Sequence, residues 1–404
     1  YNVLVFNQNL KNNSSATIIN TNVLRDGAAY DANVLGAELS LNNKKNTYSF
    51  GTSGAFSSKI YPGSNYNGHT WAASFGKTAG NFNWRLGYAE ESDTYDPNDL
   101  GFLYNNNSRE VFGNLSLARY EDFGNFNEGR ISIFSNYSRL YAPDAFQRWR
   151  VNVHTFLQTK KFFTFGFFGN VSPLRSYDYF EPRTEDFSRY VNFPAFGSGG
   201  FFVSTDYRKK VATDLEVYFG GNKELGGRYV GFSVFPRFQL NDKLIIRPRM
   251  GLDLSRNDPG YVTTTDEDII FGYRAQNVWV TSLNLSYIFG PRMSLNLNGR
   301  HYWAGVTYTD FWSLGEDGLF KETDYDEFND INFNAFNIDT VFRWRFAPGS
   351  DIFFVWKNSI FSDDKIPVPS WGENYDIIGN SPTRNSLSIK VIYFLDYLSL
   401  TKSS

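Results

Sequence analysis

Arginine and carboxylate are the groups through which this chain could act, because the other reactive side chains are scarce. There is no cysteine, which removes thiolate metal sites, disulfide scaffolds and cysteine nucleophiles. Histidines number three, His69, His154 and His301, too few for a histidine-built metal centre. No Ser, His and Asp can be assembled as nucleophile, base and orienting acid, and nothing marks a carboxylate pair for acid–base work. The chain is read as non-enzymatic, with no cofactor.

Arg85, Arg148, Arg150, Arg247, Arg249, Arg300, Arg343 and Arg345 fall on the polar phase of an alternating pattern, as do Asp214, Glu216, Asp253, Asp339 and Asp396. Two chemistries fit. Rings of charge along a lumen set solute selectivity, and arginine favours anions. Alternatively, the five fixed donors of each guanidinium brace the interior in ion pairs and hydrogen bonds. Bracing is the default expectation. His154 shares this phase and is expected to hydrogen-bond among the arginines; His301 opens an aromatic run with Tyr302 and Trp303, which points to an interfacial position.

The segment Glu316–Asp330 (EDGLFKETDYDEFND) gathers carboxylates, among them Asp324, Asp326 and Glu327. Calcium takes about six to eight oxygen ligands, so these three are weak metal candidates. Phe328 stands where a calcium loop wants Asp or Asn, and no glycine follows it; a solvated acidic loop is expected, and no metal site is assigned. Thr265–Asp268 is shorter still.

What positions these groups is a period of two. In Ser282–Phe289, Leu283, Leu285, Tyr287 and Phe289 alternate with Ser282, Asn284 and Ser286, and Met293, Leu295 and Leu297 continue the pattern. Phe342, Trp344 and Phe346 oppose Asp339, Arg343 and Arg345; Trp149, Val151 and Val153 oppose Arg148, Arg150 and His154; Pro248, Met250, Leu252 and Leu254 oppose Arg247, Arg249 and Asp253. Successive strand side chains point to opposite faces, so each segment has one apolar and one polar face. Many of the strands span 10 to 16 residues, whereas soluble strands have about five or six and a tilted membrane strand needs roughly 9–11.

Tight turns are expected at Lys11–Ser14, Asn43–Asn46, Thr78–Gly80, Asp122–Asn125, Thr159–Lys161, Arg208–Lys210, Asn241–Lys243, Gly290–Pro291 and Ala347–Ser350. Longer loops fall at Ala89–Asn107, Arg175–Gly197, Asp310–Asp330 and Asp363–Arg384. Short turns alternating with long loops are the layout of a transmembrane β-barrel. Helical spans fail: about 20 apolar residues in a row are needed, and polar residues alternate through stretches such as Ala275–Pro291. The nine turns join eighteen strands and Asn385–Tyr397 adds a nineteenth. Bacterial single-chain barrels have even strand numbers, so 20 or more strands are expected in the full protein. The opening Tyr1-Asn-Val-Leu-Val-Phe reads as strand, and the chain is read as mature or trimmed, with the first strand or strands and an N-terminal domain lying upstream.

The balance of 39 basic against 42 acidic residues, net charge −3, offers no excess for nucleic acid. The 40 Phe, 26 Tyr and 9 Trp are unlike a soluble core, which draws on Leu, Ile, Val and Ala. Tyr302, Trp303, Tyr308, Phe311, Trp312, Trp344 and Trp356 cluster near strand ends, as the aromatic girdles of barrels do; stacking on sugar rings is the alternative.

The segment Asn337–Asn358 (NIDTVFRWRFAPGSDIFFVWKN), with Asn33–Ala37, Leu100–Leu103 and Tyr287–Trp303, resembles the C-terminal barrel of an uncharacterised outer-membrane family. The resemblance implies a longer precursor with an upstream carbohydrate-binding-like domain of the family-nine type, and no established activity.

The expectation is an all-β chain: a transmembrane antiparallel up-and-down β-barrel of about 19 strands, one domain over residues 1–404, in the outer membrane of a Gram-negative bacterium. Its expected role is a solute pore or a barrel subunit of a larger envelope complex, with the lipid bilayer and other outer-membrane or periplasmic subunits as partners. The alternative is a surface glycan-binding or glycan-processing protein anchored by the barrel.

Overall fold

The computed structural model describes residues 1–266 and 268–395. The strands run in chain order as β1 (Asn2–Leu10), β2 (Ser14–Val23), β3 (Asp31–Asn42), β4 (Tyr48–Tyr61), β5 (Ser64–Lys77), β6 (Phe82–Glu91), β7 (Ser108–Arg119), β8 (Phe126–Arg139), β9 (Phe146–Thr159) and β10 (Thr164–Ser172). A small hairpin, β11 (Ser176–Asp178) and β12 (Val191–Phe193), interrupts them. The series resumes as β13 (Phe196–Ser204), β14 (Val211–Gly221), β15 (Arg228–Gln239), β16 (Leu244–Thr264), β17 (Ile269–Gly290) and β18 (Met293–Leu314). It ends with β19 (Phe320–Lys321), β20 (Ile331–Ala347), β21 (Ser350–Asp364), the helix α1 (Trp371–Asn380) and β22 (Thr383–Ile392).

Apart from the small hairpin, these strands belong to a large antiparallel up-and-down sheet of 20 strands. Nineteen of them have nine residues or more, which is the number read from the sequence, and β16, β17 and β18 reach 21, 22 and 22 residues, longer than the alternation alone indicated. Each of the nine turns expected from sequence joins two consecutive strands. The chemistry is local: Asn12 and Asn13 take φ of 60° and 55°, and Pro348–Gly349 turns β20 into β21 with Gly349 at φ 70°, a region open to glycine and tolerated by asparagine. The other connections are less uniform than expected, since Pro62–Gly63 alone links β4 to β5. Asp396 and Tyr397, assigned to the last strand from sequence, lie outside the described residues.

The chain packs as two compact units. One comprises Tyr1–Lys160, Gly166–Gly199 and Leu314–Phe320; the other comprises Lys161–Phe165, Gly200–Ser313 and the described residues from Lys321 on. Both carry the same two-faced alternation. In the first, Phe50, Phe75 and Leu86 fall in one row across β4, β5 and β6, while Arg85, Asn114, Phe134 and Asn152 share a row on the opposite face. In the second, Ile246, Leu285, Leu297 and Thr340 share a row, and Arg247, Asn284, Asn298, Asp339 and Lys357 form the adjacent row on the polar face.

Helix α1 is held to the second unit by its own chemistry. The Ser370 backbone N–H and hydroxyl both donate to Glu373 Oε2 at 2.8 Å, a helix-start pairing. The helix covers the far end of the apolar face, where Trp371 packs edge-on against Trp279 and Trp303 at 5.1 and 5.3 Å. Below it lies a closed set of amides. Asn374, fully buried, accepts from Asn332 and Asn334 at 3.2 and 2.8 Å and donates back to Asn334 at 2.9 Å. Trp303 donates to Asn332 at 2.8 Å, and His301 meets Asn334 at 3.0 Å. Gly305 makes room for the approach, because a Cβ there would stand 2.5 Å from Val368 Cγ1. His301 is therefore buried, 4% exposed and facing Tyr375 of α1. Among the described residues no helix is long and apolar enough to cross a membrane.

Candidate functional site

Strand register carries the sequence-derived arginines to the polar face, but their surroundings divide them. Arg343 and Arg345 are braces. Both engage Asp351 at the start of β21, Arg343 through two bonds of 3.0 Å and Arg345 through one of 3.2 Å, a charge-assisted arrangement. Asp339 is paired with Lys357 at 3.6 Å, and Asp253 accepts from the Tyr218 hydroxyl. Asp214 accepts from Ser204 and Tyr207 at 2.5 and 2.7 Å.

Arg247, Arg249 and Arg300 differ. Arg249, Ser282 and Arg300 stand in one row on β16, β17 and β18, and Arg247, Asn284 and Asn298 stand in the next. None of these three guanidiniums has an ion pair or hydrogen bond among the described residues; Arg249 lies 4.7 Å from the Phe235 ring centroid and Arg300 5.9 Å from that of Tyr302. All three are exposed. Arg85, in the first unit, occupies the polar face opposite Asn114.

Arg148 and Arg150 enter a different setting. They form part of the wall of a polar cavity of about 640 Å³ in the first unit, with Glu110 from β7 and Asp178, Glu181 and Arg183 from the segment between β10 and β13. Tyr104, Tyr177, Phe180 and Phe193 supply ring surface. Its loops are tied down. Asn107, fully buried, donates to the Ala142 carbonyl at 2.7 Å and accepts from the Ala142 N–H at 2.8 Å. Asn106 holds the carbonyls of Asp93 and Tyr95, and Asp178 accepts from the backbone of Phe180 and Glu181 at 2.9 and 3.0 Å. Glu110 accepts from Asn136 at 2.9 Å. The alternation of β9 revealed the two arginines; the loop residues had no such signal, because their placement depends on these long-range amide clamps.

Among the described residues no three His, Cys, Asp or Glu side chains gather as an ion-holding group, and Asp324, Asp326 and Glu327 lie in the segment between β19 and β20. Tyr325 donates to Glu327 at 3.3 Å, and Asp330 is spent on the Tyr308 N–H at 2.9 Å. In the turn between β13 and β14, Asp206 is held down to about 2 by the Arg208 guanidinium, 2.8 and 2.9 Å away, while burial and then the bond to Asp214 push Tyr207 up to about 12.

Fold and site together define an all-β protein built on an extended up-and-down sheet with one apolar and one arginine-bearing polar face. The chain belongs to the family described as Domain of unknown function (DUF5916), whose model matches residues 1–404. That description names neither a location nor a ligand. No curated protein matches the chain.

Proposed function

We propose that this chain is the membrane-spanning sheet of an outer-membrane protein of a Gram-negative bacterium, closed as a barrel, and that its polar face lines a path for solutes. The observation that supports this reading is the exposure of the apolar face. Fifteen apolar residues are buried among the described residues, whereas Leu86, Leu115, Phe56, Phe354 and Trp344 along the strands are 59, 51, 50, 46 and 43% exposed. Water would not tolerate so large an apolar surface; lipid would, and in lipid a sheet must close so that no backbone group is left unsatisfied.

Membrane fractionation and gel mobility test it. The protein is expected in the outer-membrane fraction, to need detergent for extraction, and to migrate faster unboiled than boiled. In planar bilayers it is expected to give stepwise conductance. A chain that stays dispersed without detergent defeats the proposal. Native extraction with stoichiometric partners would favour the envelope-complex form of the same reading.

The first unit's cavity favours a second reading, a surface glycan-binding protein anchored by the barrel. Rings, amides and opposed charges on one wall can stack on and hydrogen-bond a hydroxyl-rich ligand. Glycan-array binding lost in Arg148→Gln would support it; an array with no binding would set it aside.

A further inference from the structure

We propose that the polar face of the second unit holds a binding site for a multiply charged oxyanion, of the phosphate type, centred on Arg249, Ser282 and Arg300. This names the solute class of the path proposed above; its biological meaning rests on that reading, but its measurement does not.

The argument starts from register. Arg249 and Arg300 stand in one row with Ser282 between them. Neighbouring strands lie about 4.8 Å apart, so the two arginine Cα atoms are separated by roughly 10 Å. Each guanidinium reaches far enough from its Cα for both forks to close on one anion placed over Ser282. Ser282 can donate its hydroxyl at the centre. Arg247, Asn284 and Asn298 in the adjacent row add donors on one flank.

Charge supplies the second step. A guanidinium on a polar face ordinarily finds a carboxylate, as Arg343 and Arg345 find Asp351 on the same unit. Arg247, Arg249 and Arg300 have no such partner among the described residues. The acid of the flanking row, Asp339, is paired with Lys357, and Asp253 accepts the Tyr218 hydroxyl. Three like charges side by side repel one another, and a shared anion relieves that repulsion while using planar donors suited to oxyanions. A monovalent halide would use the charge but not the fork geometry, which is why a tetrahedral oxyanion is the better match.

The test uses the full chain in detergent and calorimetric titration with pyrophosphate, inorganic phosphate and chloride at low ionic strength. Saturable pyrophosphate binding is expected, stronger than for phosphate, absent for chloride, and weakening as salt is raised. Arg249→Gln with Arg300→Gln is expected to weaken pyrophosphate binding by about tenfold or more, the size of one or two charge-assisted contacts. Arg343→Gln, which removes a brace, should change it less than about twofold. A far-UV circular dichroism spectrum identical to the parent's shows that the variants are folded, and Arg249→Lys with Arg300→Lys should restore part of the affinity.

A parallel titration with mixed micelles containing phosphatidylglycerol separates free phosphate from a lipid headgroup; binding of either kind that depends on Arg249 and Arg300 supports the site. A folded protein that binds no phosphate species, or a double Gln variant that binds like the parent, overturns it. Binding by a protein that fails the membrane tests would keep this site and remove the solute path; a heat-modifiable, conducting protein without binding would do the reverse.

Discussion

Asn374 is the residue on which the most buried polarity depends. It is fully buried and completes the hydrogen bonding of Asn332 and Asn334. Asn374→Ala would leave donors of both without partners, at a cost of about 1–3 kcal/mol for each group left unsatisfied. The expected result in urea unfolding is a loss of about 2 kcal/mol or more, with tryptophan emission shifted to the red as the buried Trp303 gains water. Asp206 gives a prediction in pH. Its folded pKa lies below that of the unfolded carboxyl, so its pairing with Arg208 stabilises fully above about pH 4 and fades as pH falls toward about 2. Asp206→Asn should therefore lower stability at neutral pH and leave it little changed near about pH 2, which flattens the acid limb of the profile. At this scale the sequence was partly legible. Period two placed the arginines on a face, but it could not tell the braces from the unpaired ones. Arg343 and Arg249 look alike in sequence, and only the register of β20 against β21 brings Asp351 to the first.

Turns and the helix show the contrast at the level of elements. Asn12–Asn13 and Pro348–Gly349 state their conformation in their own residue types, which is why the turns could be read. Helix α1 could not, although Ser370 and Glu373 stand at the capping-box spacing. It has ten residues, carries Gly372 near its start and Gly379 near its end, and glycine costs about 1 kcal/mol in a helix interior. Its stability comes from docking. Glu373 ties the start, and the two Ser370 donors hold its carboxyl below the usual glutamate range. A depressed folded pKa means that this contribution is complete above the unfolded value and is lost as pH falls through the folded one. Trp371 fluorescence is expected to hold through neutral and mildly acid pH and to change below about pH 4, and Glu373→Gln should remove that step. Gly305→Val tests the seat itself. The new methyls would meet Val368, and the expected outcome is a protein of unchanged strand content whose Trp303, now buried beneath the helix, is solvated.

Over the whole molecule the decisive property is the unequal chemistry of the two faces. Leu285 and Asn284 are neighbours on β17 and point to opposite sides. Arginine on the lipid side of a barrel costs about 2–4 kcal/mol near the bilayer centre. Leu285→Arg is therefore expected to impair assembly into membranes, seen as loss of the fast unboiled band, while Asn284→Arg assembles normally. Equal behaviour of the two would falsify the membrane assignment. This asymmetry was the most legible part of the protein, because it recurs in many of the long strands and needs no tertiary information. Helix α1 adds a consequence of its own. It lies on the apolar face, so wherever it sits, lipid cannot. On β18 the uncovered stretch runs from Met293 to the buried His301, eight steps of about 3.4 Å, or roughly 27 Å along the strand. At a tilt of about 40° that is roughly 21 Å of height, close to the apolar band of about 25 Å in outer-membrane barrels. In the membrane reading proposed above the helix would act as a waterline: it would fix how deep the second unit can sink and leave the rest of β18 clear of the bilayer.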